Sequence, residues 1–252
     1  MRPFGHRSGL WAQIIRNDLL AFKVYLRDKK DQTDRSQWNK FASVMSFLKS
    51  NGIRGLVGKN DWPTFTENPV SIYTQDELDA FFTACTETEN LWFQFFLKTG
   101  MREQETMHVS WPDIEFEKKI VTVRENRQFG WTPKAYKGRQ IPIPSELVAL
   151  LKTWREKSDK KCGLVFPTTG CQPKQNFLDE CKAIAERAGL NKADFYLHKF
   201  RATRATELLR KGMDIKSVQK ILGHSDMESA MRYLDHQRTD VLQSQIDRME
   251  LQ

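Results

Sequence analysis

The sequence predicts a mainly α-helical protein that carries one small antiparallel β-sheet. Three observations predict it. Apolar residues recur at spacings of three and four along most of the 252-residue chain. The stretches so outlined are punctuated by glycines and capping boxes, the usual stops and starts of helices. Alternation of period two is confined to residues 120–124, which a polar turn over residues 125–131 returns towards a partner strand at residues 140–143.

The elements follow in order. Residues 10–30 place Ile15, Leu19, Phe22 and Leu26 on one helical face. Residues 36–49 do the same with Trp38, Phe41, Val44, Met45 and Leu48, until Asn51-Gly52 ends the helix. Residues 55–69, rich in glycine, proline and polar side chains, read as a linker. Thr74 and Glu77 form a capping box that opens a helix through Leu78, Phe81 and Phe82. The run L-W-F-Q-F-F-L-K after Asn90 is apolar nearly all round, which predicts a buried central helix. Thr99-Gly100 breaks it, and Arg102 stands at the start of the next.

Beyond the hairpin come helices at residues 145–157 and 177–187, with a strand-like element at residues 163–167 between them. A helix from His198 carries Phe200, Leu208 and Leu209 and stops at Gly212. Asp214 caps a second, with Ile215, Val218, Ile221 and Leu222 on one face until Gly223. Ser225 and Glu228 form the capping box of a third, and a terminal helix is expected at residues 240–249.

Composition narrows the function. A hydrophobic share of 39%, a charged share of 29% and a mean hydropathy of −0.61 describe a globular, water-exposed chain. No apolar run approaches the ~20 residues of a membrane span, and the first residues hold no signal-peptide core. A net charge of +8 and a pI near 9.3 favour an anionic partner. Residues 1–66 hold 12 Lys/Arg against 5 Asp/Glu, a net of +7 out of that +8, so the excess sits almost wholly in the first quarter. Cys85, Cys162, Cys171 and Cys181 form no C-x-x-C pair and lie far in sequence from any histidine; reduced thiols are expected and no metal is assigned.

The chemistry is concentrated near the C-terminus. His198 and Arg201, three apart, project from the same helical face, while His224 stands at the edge of a second helix and Tyr233 two turns into a third. Singly, each is ordinary: a lone histidine is usually structural, and a tyrosine on an amphipathic helix is usually packing. Together, H-x-x-R, then L-G-H, then a tyrosine nine residues later closely resemble the C-terminal motifs of the tyrosine recombinase (phage integrase) family. Upstream, T-G-M-R-E-Q-E resembles that family's T-G-x-R-x-x-E motif, with Arg102 the functional arginine and Glu105 its support. T-P-K-A-Y-K-G-R resembles its hairpin-lysine motif, in which Lys134 aligns best and Lys137 is the rival.

The resemblance covers about residues 70–240 and implies an integrase-type catalytic domain over residues 67–252, with a C-terminal helix that docks on a neighbouring protomer. A short helical DNA-binding domain over residues 1–66 would precede it. That domain usually has four helices in the family and two are legible here, so either the chain has a reduced version or it begins inside the domain. The implied activity is site-specific cleavage and rejoining of DNA through a 3′-phosphotyrosine, without metal, ATP or other cofactor. Tyr233 would be the nucleophile, Arg102 and Arg201 the phosphate ligands, Lys134 the acid for the departing 5′-oxygen, and His198 and His224 assistants. The implied partners are double-stranded recombination sites bound by a homotetramer, serving a mobile element in the cytoplasm. Two other readings stay open: a type IB topoisomerase-like enzyme, and a helix-turn-helix regulator without catalysis, for which L-L-R-K-G-M-D-I-K-S-V-Q-K-I-L-G is the feature.

Overall fold

The structure, a computed structural model, describes residues 13–29, 32–66, 70–134, 138–158 and 161–223. His224, Tyr233, Lys137, the capping box at Ser225 and the helix expected at residues 240–249 lie outside the described residues. The chain divides between residues 68 and 69 into two compact units.

The first unit contains α1 (Arg16–Asp28) and α2 (Asp34–Ser50), the latter capped by the Thr33 hydroxyl on the Ser36 N–H. Leu19, Leu26, Phe41 and Leu48 form its buried core. The first helix starts later than its apolar spacing suggests. Asp18 Oδ2 accepts the Ile15 N–H at 2.9 Å, and this cap fixes the helix start after Ile15. The expected linker also needs correction, because its first half is part of this core. Leu56, Val57 and Trp62 pack on it, with the Trp62 ring 5.3 Å from that of Phe41. Glycines and prolines signal an irregular backbone, but they do not stop the apolar side chains among them from packing, half-buried, on a core.

The second unit is built around α4 (Glu87–Thr99), whose Phe93, Phe95 and Phe96 are all but inaccessible to solvent. The polar Asn90, Gln94 and Lys98 form only a narrow, half-exposed stripe, and the apolar rest of the helix needs cover. It receives α6 (Ser145–Lys157) and α8 (Leu197–Arg210) as neighbours, and Phe177 of α7 (Phe177–Arg187) as an edge-on ring. Phe81 of α3 (Gln75–Thr83) joins Phe93, Phe195, Phe200 and Tyr73 in one aromatic cluster.

The sheet has three antiparallel strands in the order β1 (Ile114–Glu115), β2 (Ile120–Val123), β3 (Arg139–Pro142), with Val121 opposite Ile141 at its buried face. Two residues of β1 are too few for alternation to reveal. Residues 163–167 are strand-like, as expected, but join no sheet: Leu164 and Pro167 make isolated antiparallel bridges to Ser110 and Pro173, with Trp111 N–H donating to Gly163 O and Val165 N–H to Val109 O. Leu164, Val165 and Phe166 are buried in succession, so the apolar run reflects burial on every side rather than a pleat.

Cys162 and Cys171 are not free thiols. Thr168 and Gln172 close a turn by mutual hydrogen bonds, bringing the two Cα atoms to 5.7 Å, and the sulfurs are joined in a disulfide. Sequence spacing alone does not disclose such a pairing. Cys85 and Cys181 remain as thiols; burial pushes both pKa values up to about 12, so neither is a reactive thiolate near neutral pH. Among the described residues no helix is long and apolar enough to cross a membrane.

Candidate active site

Helix α4 ends at Gly100, which adopts the left-handed conformation (φ 62°) and returns its N–H to Phe96 O. The reversal buries Met101 and leaves Arg102 as the N-cap of the short helix α5 (Glu103–Met107). Glu105 then reaches back. Its Oε2 accepts the Arg102 N–H at 2.8 Å, and its Oε1 accepts Arg102 Nη1 at 2.9 Å. The Arg102 side chain is 29% exposed, so its guanidinium is held from behind and open in front.

Glu105 itself is buried. Burial alone would push its carboxyl pKa up. The hydrogen bonds and charge of Arg139, followed by the Arg102 N–H and charge, outweigh that and hold it below the usual carboxylate value.

His198 opens the first turn of α8, and Lys134 stands near the end of the segment between β2 and β3. Both come to the mouth of α5. One cavity of about 470 Å³ is lined by Arg102, Glu103, Trp131, Lys134, Leu197 and His198, among others. His198 is exposed at the cavity, and its pKa lies below the usual value because the surrounding protein displaces part of its hydration and Arg201 and Arg102 repel a further positive charge. The imidazole is therefore neutral at pH 7, able to donate from one nitrogen and accept at the other.

Arg201 does not line this cavity. It is fully buried behind it, with Nη1 donating to Gly100 O at 2.7 Å and Nη2 to Leu222 O at 2.6 Å. Helix α9 (Ile215–Leu222) starts at Asp214, whose carboxylate accepts the Ser217 N–H, and ends at left-handed Gly223. Its last carbonyls meet a row of arginines: Ile221 O takes Arg139 Nε at 2.7 Å, Leu222 O takes Arg201, and Gly223 O takes Arg102 Nη2 at 3.2 Å. The C-terminal end of a helix carries partial negative charge and unpaired carbonyls, which suits three guanidinium groups.

The structure thus gathers Arg102, Lys134 and His198 around one cavity and sets Arg201 beneath it, while His224, Tyr233 and the rival Lys137 lie outside the described residues. Sequence reasoning passed over Arg139. The signal was there: in a period-two strand it shares a face with Ile141, and a cation on a buried face demands an acidic partner. It also passed over Trp131 and His108, whose rings stack at 4.9 Å while His108 Nδ1 lies 2.7 Å from Gln104 O.

Residues 72–240 match the model of the phage integrase family. The chain belongs to that family, whose members are tyrosine recombinases, enzymes of site-specific DNA recombination. It is 31% identical over 169 residues to a tyrosine recombinase XerC-like protein of Caldanaerobacter subterraneus subsp. tengcongensis, covering 55% of this chain and 43% of that one. Tyrosine recombinase XerC of Oceanobacillus iheyensis is 27% identical, covering 92% and 81%. The chain thus spans less than half of the first relative and about four-fifths of the second. Among solved structures, the Tn1549 transposon integrase in complex with transposon right end DNA superposes with a TM-score of 0.72 at 18% identity, covering 96% of this chain and 88% of that one. XerH recombinase bound to palindromic difH gives 0.69 at 19%, covering 92% and 72%. At these identities the superpositions establish the shared fold.

Proposed function

We propose that the protein cleaves and rejoins duplex DNA at specific sites through a 3′-phosphotyrosine on Tyr233. The observation that carries this reading is the cavity where a partly exposed arginine, a lysine and a neutral histidine meet above a buried arginine. A phosphodiester is slow to react because its charge repels nucleophiles. Arg102, a permanently charged fork suited to phosphate oxygens, would bind the non-bridging oxygens. Arg201, buried beneath the cavity, would add its fixed charge to stabilise the charge that builds in the transition state. The Tyr233 phenolic oxygen forms a bond to phosphorus as the bond to the 5′-oxygen breaks. Lys134 gives its proton to that oxygen, and His198 and His224 hydrogen-bond the phosphate and relay the phenolic proton.

The phosphotyrosine conserves the ester bond, so a 5′-hydroxyl from another strand reverses the step without ATP. Exchange between two duplexes calls for a homotetramer on paired double-stranded sites, with no cofactor, in the cytoplasm of a cell harbouring a mobile element. Residues 67–252 would form the catalytic domain. Residues 1–66, which carry the +7, would grip the DNA backbone.

The test is a duplex bearing the site selected from a random-sequence library, nicked so that cleavage traps the adduct. Wild type should give a covalent protein–DNA band on a denaturing gel, and Tyr233→Phe should bind the duplex but give none. An adduct that survives this substitution would move the nucleophile elsewhere, Tyr196 being an exposed candidate.

A further inference from the structure

Arg139 takes no part in the steps above, yet it joins Glu105 of α5 to the end of α9. Both terminal nitrogens of its guanidinium lie 2.7 Å from Glu105, one on each carboxylate oxygen, and the side chain is 7% exposed. Those same two oxygens take the Arg102 Nη1 and N–H. Its third donor, Nε, reaches Ile221 O on α9. Its stem and fork lie against Gly223, where an added Cβ would come within 2.9 Å of Arg139 Cδ and 3.0 Å of Nη1.

We infer that Arg139 is a positioning residue, which fixes the direction of the Arg102 guanidinium through Glu105 and holds the end of α9 from which His224 follows in sequence. This rests on the function proposed above. The physical argument concerns rotation. A carboxylate held by one arginine can swing about its last bond. Held by two parallel N–H···O bonds it has one plane, and whatever else it binds inherits that plane. Ion-pair strength alone does not account for the arrangement, since the desolvation of a buried pair offsets most of its attraction. A lysine, being a point charge on a flexible stem, supplies neither the fork nor the third donor.

The experiment measures single-turnover cleavage of the nicked duplex by the full chain, beside its affinity for that duplex. Arg139→Ala should cleave about 100-fold more slowly, the order expected for a misplaced catalytic group, with wild-type affinity. Millimolar methylguanidinium should raise the Arg139→Ala rate and leave wild type unchanged. Arg139→Lys should be slow and unrescued, because the lysine fills the space. Should Arg139→Ala fail to fold by circular dichroism, Arg139→Lys and the uncharged pair Arg139→Gln with Glu105→Gln carry the measurement, and both should bind normally and cleave slowly. Wild-type cleavage by any folded Arg139 variant overturns the inference. So does a rate loss that merely tracks lost affinity. Absence of an adduct with wild type overturns the proposed function, and this inference with it.

Discussion

Arg201 Nη2 donates to the Leu222 carbonyl at 2.6 Å, while Nη1 of the same guanidinium donates to Gly100 O. One buried cation on α8 therefore pins the ends of α4 and α9 to each other. Those ends are where Arg102 and His224 follow in the chain, so packing in the core and geometry at the cavity are one problem.

Gly100 shows how tight that join is. At φ 62° it tolerates few side chains, and a Cβ there would come within 2.6 Å of Leu222 Cδ2. Gly189 has a similar conformation, φ 74°, with nothing within 4 Å. Gly189→Ala should cost only the backbone strain, about 1 kcal/mol, and Gly100→Ala about 1–3 kcal/mol more through the clash. Urea unfolding of the two variants measures the difference. Equal losses would show that Leu222 simply moves aside.

Lys134 can be assigned by its leaving group. Replacing the bridging 5′-oxygen by sulfur gives a leaving group stable as a thiolate, which hardly needs an acid. Lys134→Ala should cleave ordinary DNA about 100-fold or more slowly and the sulfur-bridged duplex nearly at the wild-type rate. Arg102→Ala should remain slow on both, since its charge acts on oxygens that the sulfur leaves unchanged. Rescue of Lys137→Ala in place of Lys134→Ala would transfer the role.

His198 gives a pH signature with a definite sign. Its folded-state pKa lies below the ordinary 6.5, so the folded protein binds fewer protons there than the unfolded chain does. Its contribution to stability is therefore complete above about pH 6.5 and falls away as acid protonates the unfolded form. His198→Gln should flatten the fall in unfolding free energy on the acid side of neutrality. An NMR titration of the ring should place its midpoint below 6.5 in free protein, and DNA, by bringing a phosphate near, should raise it. A midpoint unmoved by DNA would separate His198 from the phosphate.

Lys40, Lys49, Arg54 and Lys59 are exposed on the first unit. If that unit neutralises backbone phosphates, replacing all four by glutamine should make the slope of log K against log salt shallower, by up to ~0.9 for each phosphate left unneutralised. A slope identical to wild type would mean that the second unit binds the backbone alone.

Most helices were legible because their signals are local. Thr74 with Glu77 and Asp214 with Ser217 cap as the sequence announces, and Gly100 and Gly223 end helices in the left-handed form that favours glycine. The positions of Arg102, Lys134 and His198 around one cavity were foreshadowed by motif resemblance, since no local pattern brings residues so far apart together. What escaped were long-range pairings: the bond between Cys162 and Cys171, the packing of a half-buried Trp62 on Phe41 in what reads as a linker, and the fork of Arg139 on Glu105. Each depends on a partner that spacing along the chain does not encode.

The three arginines at the end of α9 grip backbone oxygens, not side chains. Such a grip is blind to which residues occupy positions 221 and 222, but it counts them. Removing or adding one residue within α9 would turn the last carbonyls by about 100° about the helix axis, away from all three guanidinium groups at once. Divergent descendants of this chain should therefore exchange side chains freely along the exposed face of α9 while keeping its length unchanged.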